Sequence, residues 1–95
     1  MSTKENFKIL VVDDEPEARE SMEMLLSCAK YSVAVAASAQ EALNTLEKEY
    51  YPLVITDIMM PGMDGISFLQ KIKNIYKEEI EVIMLTAYGS IETAV

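Results

Sequence analysis

Four short apolar runs recur along the chain, and segments with apolar residues at helical spacing separate them. The runs cover residues 8–12, 31–37, 53–56 and 81–85. Short, continuously apolar runs are typical of strands that are buried on both faces of a parallel sheet. Strands that alternate with helices indicate βαβ units, whose right-handed crossovers keep the strands parallel. The chain is therefore predicted to form one α/β domain over residues 1–95, with a doubly wound parallel sheet.

The segments between the runs predict three helices and the start of a fourth. The first covers residues 16–29 and begins with a proline, whose missing N–H costs nothing in a first helical turn. Ser38 followed by Glu41 is a capping-box pattern that opens the second helix. The third helix is expected over residues 66–76, and residues 90–92 predict the cap and first turn of a fourth.

Apolar spacing also predicts which side of each helix faces the sheet. The residues expected on these inner faces are Ala18, Met22, Leu25, Leu26 and Ala29 in the first helix, Ala39, Ala42, Leu43 and Leu46 in the second, and Ile66, Leu69, Ile72 and Ile75 in the third.

The composition excludes several classes of function. The chain has no histidine, which removes histidine-based catalysis, histidine zinc sites and a phosphohistidine donor role. A net charge of −8 without a basic patch argues against direct nucleic-acid binding and favours a cationic partner or a bound metal. No apolar run approaches the roughly 18 residues of a membrane span, and the first residues lack a signal-peptide pattern. With Cys28 as the one cysteine, no internal disulfide can form, so we expect a cytoplasmic protein.

Acidic and hydroxyl side chains follow three of the predicted strands. Asp13 and Asp14 come after the first, Asp57 after the third and Thr86 after the fourth. The carboxyl ends of parallel strands share one edge of the sheet, where ligands bind in such folds. Two like charges 4 Å apart repel by about 4 kcal/mol at an effective dielectric constant near 20, so clustered carboxylates raise a pKa or bind a cation. Oxygen ligands without histidine favour Mg²⁺. Mg²⁺, a carboxylate nucleophile and a nearby hydroxyl together predict phosphoryl transfer to aspartate.

Each of these residues also has a simpler structural explanation. Asp13 and Asp14 could serve only to stabilise the start of the first helix through its dipole. Asp57 has no obvious capping role, and Thr86 alone is uninformative because β-branched residues are common in strands. The joint placement of all four carries the functional interpretation.

Three motifs together resemble the receiver domain of two-component response regulators. They are VVDDEPEAR, LVITDIMMPGMDG and IMLTAYGS, and they extend over nearly the whole chain. The resemblance implies a flavodoxin-like (CheY-like) doubly wound sheet with strand order 2-1-3-4. It also implies a Mg²⁺-dependent, phospho-accepting switch, phosphorylated by a sensor histidine kinase or a phosphotransfer protein. The TAYGSIETAV end further resembles receivers that form the regulatory domain of transcriptional regulators.

The same resemblance assigns residue roles. Asp57 matches the phospho-acceptor and also a metal ligand. Asp13 and Asp14 match the acidic pair that holds Mg²⁺, with Asp14 as the direct ligand and Asp13 acting largely through water. Met59 matches the position whose backbone carbonyl completes the metal shell, and Thr86 matches the switch hydroxyl. In the same loop Met59, Met60 and Met63 are interpreted as packing residues.

The chain departs from the family pattern at its carboxyl end, because a fifth strand and fifth helix do not follow. The family's lysine after strand five, which pairs with the phosphoryl group, goes with them. Lys71, Lys73 and Lys77 are expected on the third helix and cannot replace it. We therefore expect an incomplete domain of marginal stability and impaired phosphorylation, with an exposed edge on the fourth strand that could self-associate.

Two other functions remain open at this stage. A Mg²⁺-dependent aspartyl phosphatase of the haloacid-dehalogenase type also places aspartates after a first apolar strand. That family needs nucleophile and acid two residues apart, so the partner of Asp13 would be Glu15, and Asp57 would stay unexplained. The third possibility is an interaction module in which phosphorylation is silent. The leading interpretation is a signalling domain rather than an enzyme.

Overall fold

The computed structural model of the chain describes residues 7–85, together with the backbone of residues 91–94. Strands and helices alternate along it, as the apolar pattern predicts. The elements are β1 (Lys8–Val12), α1 (Pro16–Cys28), β2 (Ser32–Ala36), α2 (Ala39–Lys48), β3 (Leu53–Asp57), α3 (Gly65–Tyr76), β4 (Glu81–Leu85) and β5 (Ile91–Ala94).

The sheet has the order β2-β1-β3-β4-β5. The first four strands in this order run parallel, which confirms the predicted order 2-1-3-4 and the flavodoxin-like class. The order reverses at β1, since β2 lies on one side of it and β3 on the other. Ligands bind outside the carboxyl ends of the strands at such a switch point. The fold therefore places the ends of β1 and β3 side by side, where a site is expected.

Alternating side chains of the strands divide the core between the two faces of the sheet. On one face Leu10, Val12 and Val54 pack with α2 and α3, which contribute Ala42 and Phe68. On the other face Ile9, Val11 and Ile55 are buried beneath α1. Strands that are covered on both faces account for the continuous apolar runs in the sequence.

The second helix follows its prediction closely. Ser38 accepts a hydrogen bond from the backbone N–H of Glu41 (3.1 Å), as the capping-box pattern predicts. Ala39, Ala42 and Leu46 are buried, and Leu43 packs against the same core.

The predicted inner face of α3 is partly wrong. Ile72 is buried as expected, but Ile66 and Ile75 are exposed, and Phe68 is fully buried in their place. This rotation of the helix about its axis is set at its first residue, because Gly65 lies against the backbone at the end of β3. Residues three and seven positions after Gly65 then face the sheet.

The first helix covers its face of the sheet incompletely. Met22 and Leu26 pack against the core beneath α1, but no residue of the helix is fully buried. Ala18 and Leu25 were predicted to face inward and are exposed. Within residues 7–85, α1 is the helix that covers this face, and it shields only the residues directly beneath it.

The prediction of a fourth helix is also wrong. Ile91–Ala94 forms β5, which pairs antiparallel with β4 from Leu85↔Ile91 to Val82↔Ala94, while Ser90 lies outside the described residues. An open strand edge leaves backbone N–H and C=O groups without partners, and this pairing satisfies them. The expected exposed edge of β4, and self-association through it, therefore lack structural support.

Candidate functional site

Three aspartates converge at the carboxyl edge of the sheet. Val12 pairs with Thr56, so the residues that follow, Asp13 and Asp57, reach the edge at the same level. One carboxylate oxygen from each of Asp13, Asp14 and Asp57 lies within 4.8 Å of the others. The convergence predicted from the sequence is confirmed, and it follows from the β1–β3 register.

Backbone and side-chain hydrogen bonds hold the loop after β1. The backbone N–H of Asp13 donates to the carbonyl of Ala36 (3.1 Å), which ties the loop to the end of β2. The Asp13 Oδ1 accepts from the backbone N–H of Glu15 (2.9 Å). Arg19 Nη1 donates to the carbonyl of Asp13 (2.8 Å) from the first turns of α1. The Asp13 carboxylate thus bonds the residue just before α1, which has no side-chain cap, and it also joins the cluster.

Arg19 is a site residue that the sequence reasoning missed. Its position six residues after Asp13 places it on α1, where its side chain can reach back to the loop. The signal in the sequence was a lone basic residue within the acidic stretch 13–20.

Asp57 is the last residue of β3, one residue beyond the predicted end of the strand. Its Oδ1 accepts from the backbone N–H of Met59 (3.3 Å). The backbone N–H of Ile58 donates to the carbonyl of Leu85 (3.2 Å), so β4 continues to hold the chain just past Asp57. The Asp57 backbone and carboxylate are therefore positioned by β4 and by the loop that follows β3.

Gly65 permits a close approach between α3 and the end of β3. A Cβ atom at this position would lie 2.5 Å from the carbonyl oxygen of Asp57 and 2.7 Å from the Cα of Ile58. The backbone N–H of Gly65 donates to the carbonyl of Ile58 (2.8 Å), which closes the loop. Apolar spacing in the sequence does not reveal this contact, because a close backbone approach leaves no periodic signal.

Burial raises the pKa of Asp13 above its ordinary value of 3.8. The negative charges of Asp57 and Asp14 raise the pKa of Asp13 further. The hydrogen bond from the Glu15 backbone and the positive charge of Arg19 lower it. The raised pKa of Asp13 indicates that ionising this carboxyl is less favourable in the folded chain than in the unfolded one. A cation at the cluster would supply a counter-charge.

The donor set fits Mg²⁺. The cluster offers three carboxylate oxygens and no nitrogen or sulfur ligand, which suits a hard cation that keeps several waters. The backbone N–H of Met59 contacts Asp57, while the predicted role of its carbonyl as a ligand stays a prediction. Thr86, the predicted switch hydroxyl, lies outside the described residues.

The three methionines of the loop differ in burial. Met60 is buried and Met63 packs against the core, which confirms the packing interpretation for both. Met59 is 70% exposed, so that interpretation is wrong for Met59.

Lys73 of α3 lies away from the cluster, and Lys77 follows the end of α3 rather than lying on it as predicted. Lys73 Nζ donates to the carbonyl of Ile80 (2.9 Å), just before β4 begins and so at the opposite end of that strand from Asp57. This contact of Lys73 agrees with the expectation that Lys73 cannot replace the family's lysine near Asp57.

The part of the chain that the structure describes contains no helix long and apolar enough to cross a membrane.

A family model described as the response regulator receiver domain matches residues 9–95. A probable transcriptional regulator from Pyropia yezoensis, ycf27, is 42% identical over 84 residues, which are 88% of this chain and 34% of the relative. The transcriptional regulatory protein ZraR of Escherichia coli strain K12 is 41% identical over 93 residues, 98% of this chain and 21% of that protein. The chain thus spans about a third or less of the length of these relatives.

Solved structures show the same fold. The chemotaxis protein CheY4 of Vibrio cholerae matches with a TM-score of 0.82 at 32% identity, over 88% of this chain and 71% of that one. The response regulator TrrA of Thermotoga maritima, solved in complex with Mg²⁺ and BeF, matches with a TM-score of 0.80 at 40% identity. That match covers 86% of this chain and 70% of TrrA.

Replacement of Gly65 by alanine should destabilise the chain by about 2 kcal/mol, since the new Cβ must displace the Asp57 backbone. Gly62→Ala is the matched control in the same loop. Gly62 has φ +81°, but a Cβ atom there would meet no other atom within 4 Å, so its cost of about 1 kcal/mol reflects backbone strain alone. Urea denaturation measures both, and an equal or smaller loss for Gly65→Ala would contradict the close approach.

Replacement of Asp13 by asparagine should stabilise the chain near neutral pH without divalent cations, because it removes a carboxylate whose ionisation burial and the neighbouring aspartates oppose. The pKa of Asp13 is raised above 3.8 on folding. As the pH rises from 3.8 through the folded-state pKa, Asp13 ionises more readily in the unfolded chain, so the folded state loses stability. The advantage of the variant should therefore shrink as the pH falls toward 3.8. Urea denaturation at both ends of this range checks the sign, and a variant less stable than wild type at neutral pH would refute it.

Proposed function

The chain belongs to the response regulator receiver domain family, and from that membership we propose that it is a Mg²⁺-dependent phospho-accepting switch with Asp57 as the acceptor. The observation that carries the proposal is the convergence of Asp13, Asp14 and Asp57 within 4.8 Å at the carboxyl edge of the sheet. Receiver domains are signalling domains rather than classical enzymes.

The proposed step is an in-line transfer to the carboxylate of Asp57. One Asp57 oxygen attacks the phosphorus, an acyl phosphate forms, and the bond to the donor breaks with its electron pair leaving on the donor. Bound Mg²⁺ would neutralise charge on the carboxylates and on the transferred phosphoryl oxygens. The chain's own contribution is to orient Asp57, through its hydrogen bond from Met59 and the backbone contact with Gly65.

We assign the metal to Asp13, Asp14 and Asp57, with the backbone carbonyl of Met59 as a further ligand. The oxygen-only donor set supports this assignment. The solved complex of TrrA with Mg²⁺ and BeF, a relative at 40% identity, is consistent with it.

Thr86 is proposed as the switch hydroxyl. Asp57 pairs with Leu85 across β3 and β4, and Thr86 follows Leu85 directly in the sequence. A hydroxyl that bonds a new phosphoryl group can bias an equilibrium between two conformations that already exist.

Receiver domains interact in general with histidine kinases or phosphotransfer proteins, and we propose that such a protein phosphorylates Asp57 in the cytoplasm. The relatives ycf27 and ZraR support a role as the regulatory domain of a transcriptional regulator. The net charge of −8 favours protein partners over direct contact with nucleic acid.

The phosphatase alternative receives little support from the geometry. It requires Glu15 to act beside Asp13, but among the described residues the carboxylate cluster consists of Asp13, Asp14 and Asp57. Glu15 instead contributes its backbone N–H to Asp13. The alternative of a phosphorylation-silent module is decided by the labelling experiment below.

Asp57→Asn should abolish phosphoryl labelling of the chain by acetyl phosphate with Mg²⁺, because the amide is not a nucleophile. Asp64→Asn is the matched control: Asp64 is an exposed carboxylate of the same loop that caps α3, and asparagine caps equally well. Intact-mass spectrometry detects the acyl phosphate. Labelling that persists in Asp57→Asn contradicts the proposed acceptor, and absence of labelling in the wild type indicates the silent module.

Asp57→Asn also separates the phosphatase from the receiver. A phosphatase of the type considered would keep its covalent intermediate in Asp57→Asn and lose it in Asp13→Asn, whereas a receiver would lose its labelling in Asp57→Asn.

A further inference from the structure

Met59 is the exposed methionine of the acceptor loop. It is 70% exposed, whereas its neighbour Met60 is 8% exposed. Met24, on α1, is 69% exposed and provides a comparison far from the loop in sequence. A methionine in water carries a thioether that peroxides can reach, whereas a buried methionine is protected.

The backbone of Met59 lies beside the acceptor carboxylate. Its N–H donates to Asp57 Oδ1 over 3.3 Å, and the N–Cα bond adds about 1.46 Å. The Cα atom of Met59 is therefore within about 5 Å of that carboxylate oxygen. The side chain is unbranched and has three rotatable bonds, so its sulfur can approach the cluster without movement of the backbone.

Oxidation changes what this side chain can offer a metal. A thioether is a soft ligand that does not suit Mg²⁺, whereas a sulfoxide carries a polar oxygen of the hard type that Mg²⁺ prefers. We propose that Met59 is a modification site, at which oxidation to the sulfoxide by a hydroperoxide adds an oxygen donor beside the aspartates and strengthens Mg²⁺ binding. The inference rests on the proposed metal site of Asp13, Asp14 and Asp57.

The reaction is a two-electron oxidation that balances with the peroxide alone. A sulfur lone pair attacks one peroxide oxygen, the S–O bond forms and the O–O bond breaks. With hydrogen peroxide the departing hydroxide takes the remaining proton and leaves as water. The sulfur is oxidised and the peroxide is reduced. The step is reversible in a cell, because methionine sulfoxide reductases restore the thioether.

The experiment compares reduced and peroxide-treated chains in a Cys28→Ser background, because Cys28 is exposed and would also be oxidised. Met59→Leu removes the proposed site with nearly unchanged side-chain volume, and Met24→Leu is the matched control at an equally exposed position. Peptide mass spectrometry follows sulfoxide formation at each methionine. Titration calorimetry at constant ionic strength measures the Mg²⁺ dissociation constant.

We expect Met59 and Met24 to oxidise much faster than Met60. Oxidation should lower the Mg²⁺ dissociation constant by about threefold or more in the parent chain and in Met24→Leu, but not in Met59→Leu. Treatment with methionine sulfoxide reductases should restore the original value.

An unchanged or weaker Mg²⁺ affinity after oxidation of Met59 overturns the inference, as does an equal change in Met59→Leu. These results leave the proposed function intact as long as the reduced chain binds Mg²⁺. If the reduced chain does not bind Mg²⁺, the proposed metal site fails, and the role of Met59 fails with it.

Discussion

The candidate site requires three carboxylates to lie close together at one edge of a parallel sheet. The β1–β3 register sets Asp13 and Asp57 side by side, and Asp14 completes the cluster. Repulsion among the carboxylates and the burial of Asp13 oppose this arrangement, as the raised pKa of Asp13 indicates. The rest of the fold supplies the free energy that maintains it. A cation bound at the cluster would stabilise the folded state and offset part of this repulsion, since it would bind only the folded chain.

Contacts that are unrelated to charge keep the cluster in place. Val12, Val54 and Phe68 belong to the apolar core beneath the edge, and the strands that carry the aspartates cannot shift without disrupting it. Gly65 lets α3 lie directly against the backbone of Asp57, which fixes both the position of Asp57 and the rotation of the helix. Arg19 binds the carbonyl of Asp13 from α1. The site is therefore held by the apolar core, by the close approach of α3 and by the side chain of Arg19.

The sequence predicted the strands and the cluster well, because both leave simple signals. Buried parallel strands are continuous apolar runs, and a residue that follows such a strand must lie at the carboxyl edge. The inner face of α3 was harder to predict, since a close approach at Gly65 rotated the helix and left Ile66 and Ile75 exposed. The strand Ile91–Ala94 was predicted as a helix, because the requirement to pair the β4 edge is a tertiary effect. The contact of Arg19 with Asp13 and the exposure of Met59 depend on side-chain directions, which apolar spacing does not predict.

The most direct test of the proposed Mg²⁺ site is a Mg²⁺ titration of the ¹⁵N-labelled chain, monitored by amide chemical shifts. A single site at the carboxyl edge predicts a saturable response, with the largest shifts at residues 13–15 and 57–59. Shifts that grow without saturation and scatter over acidic residues elsewhere, such as Glu47 and Glu78, would instead show general charge screening. That result would contradict a metal site formed by Asp13, Asp14 and Asp57.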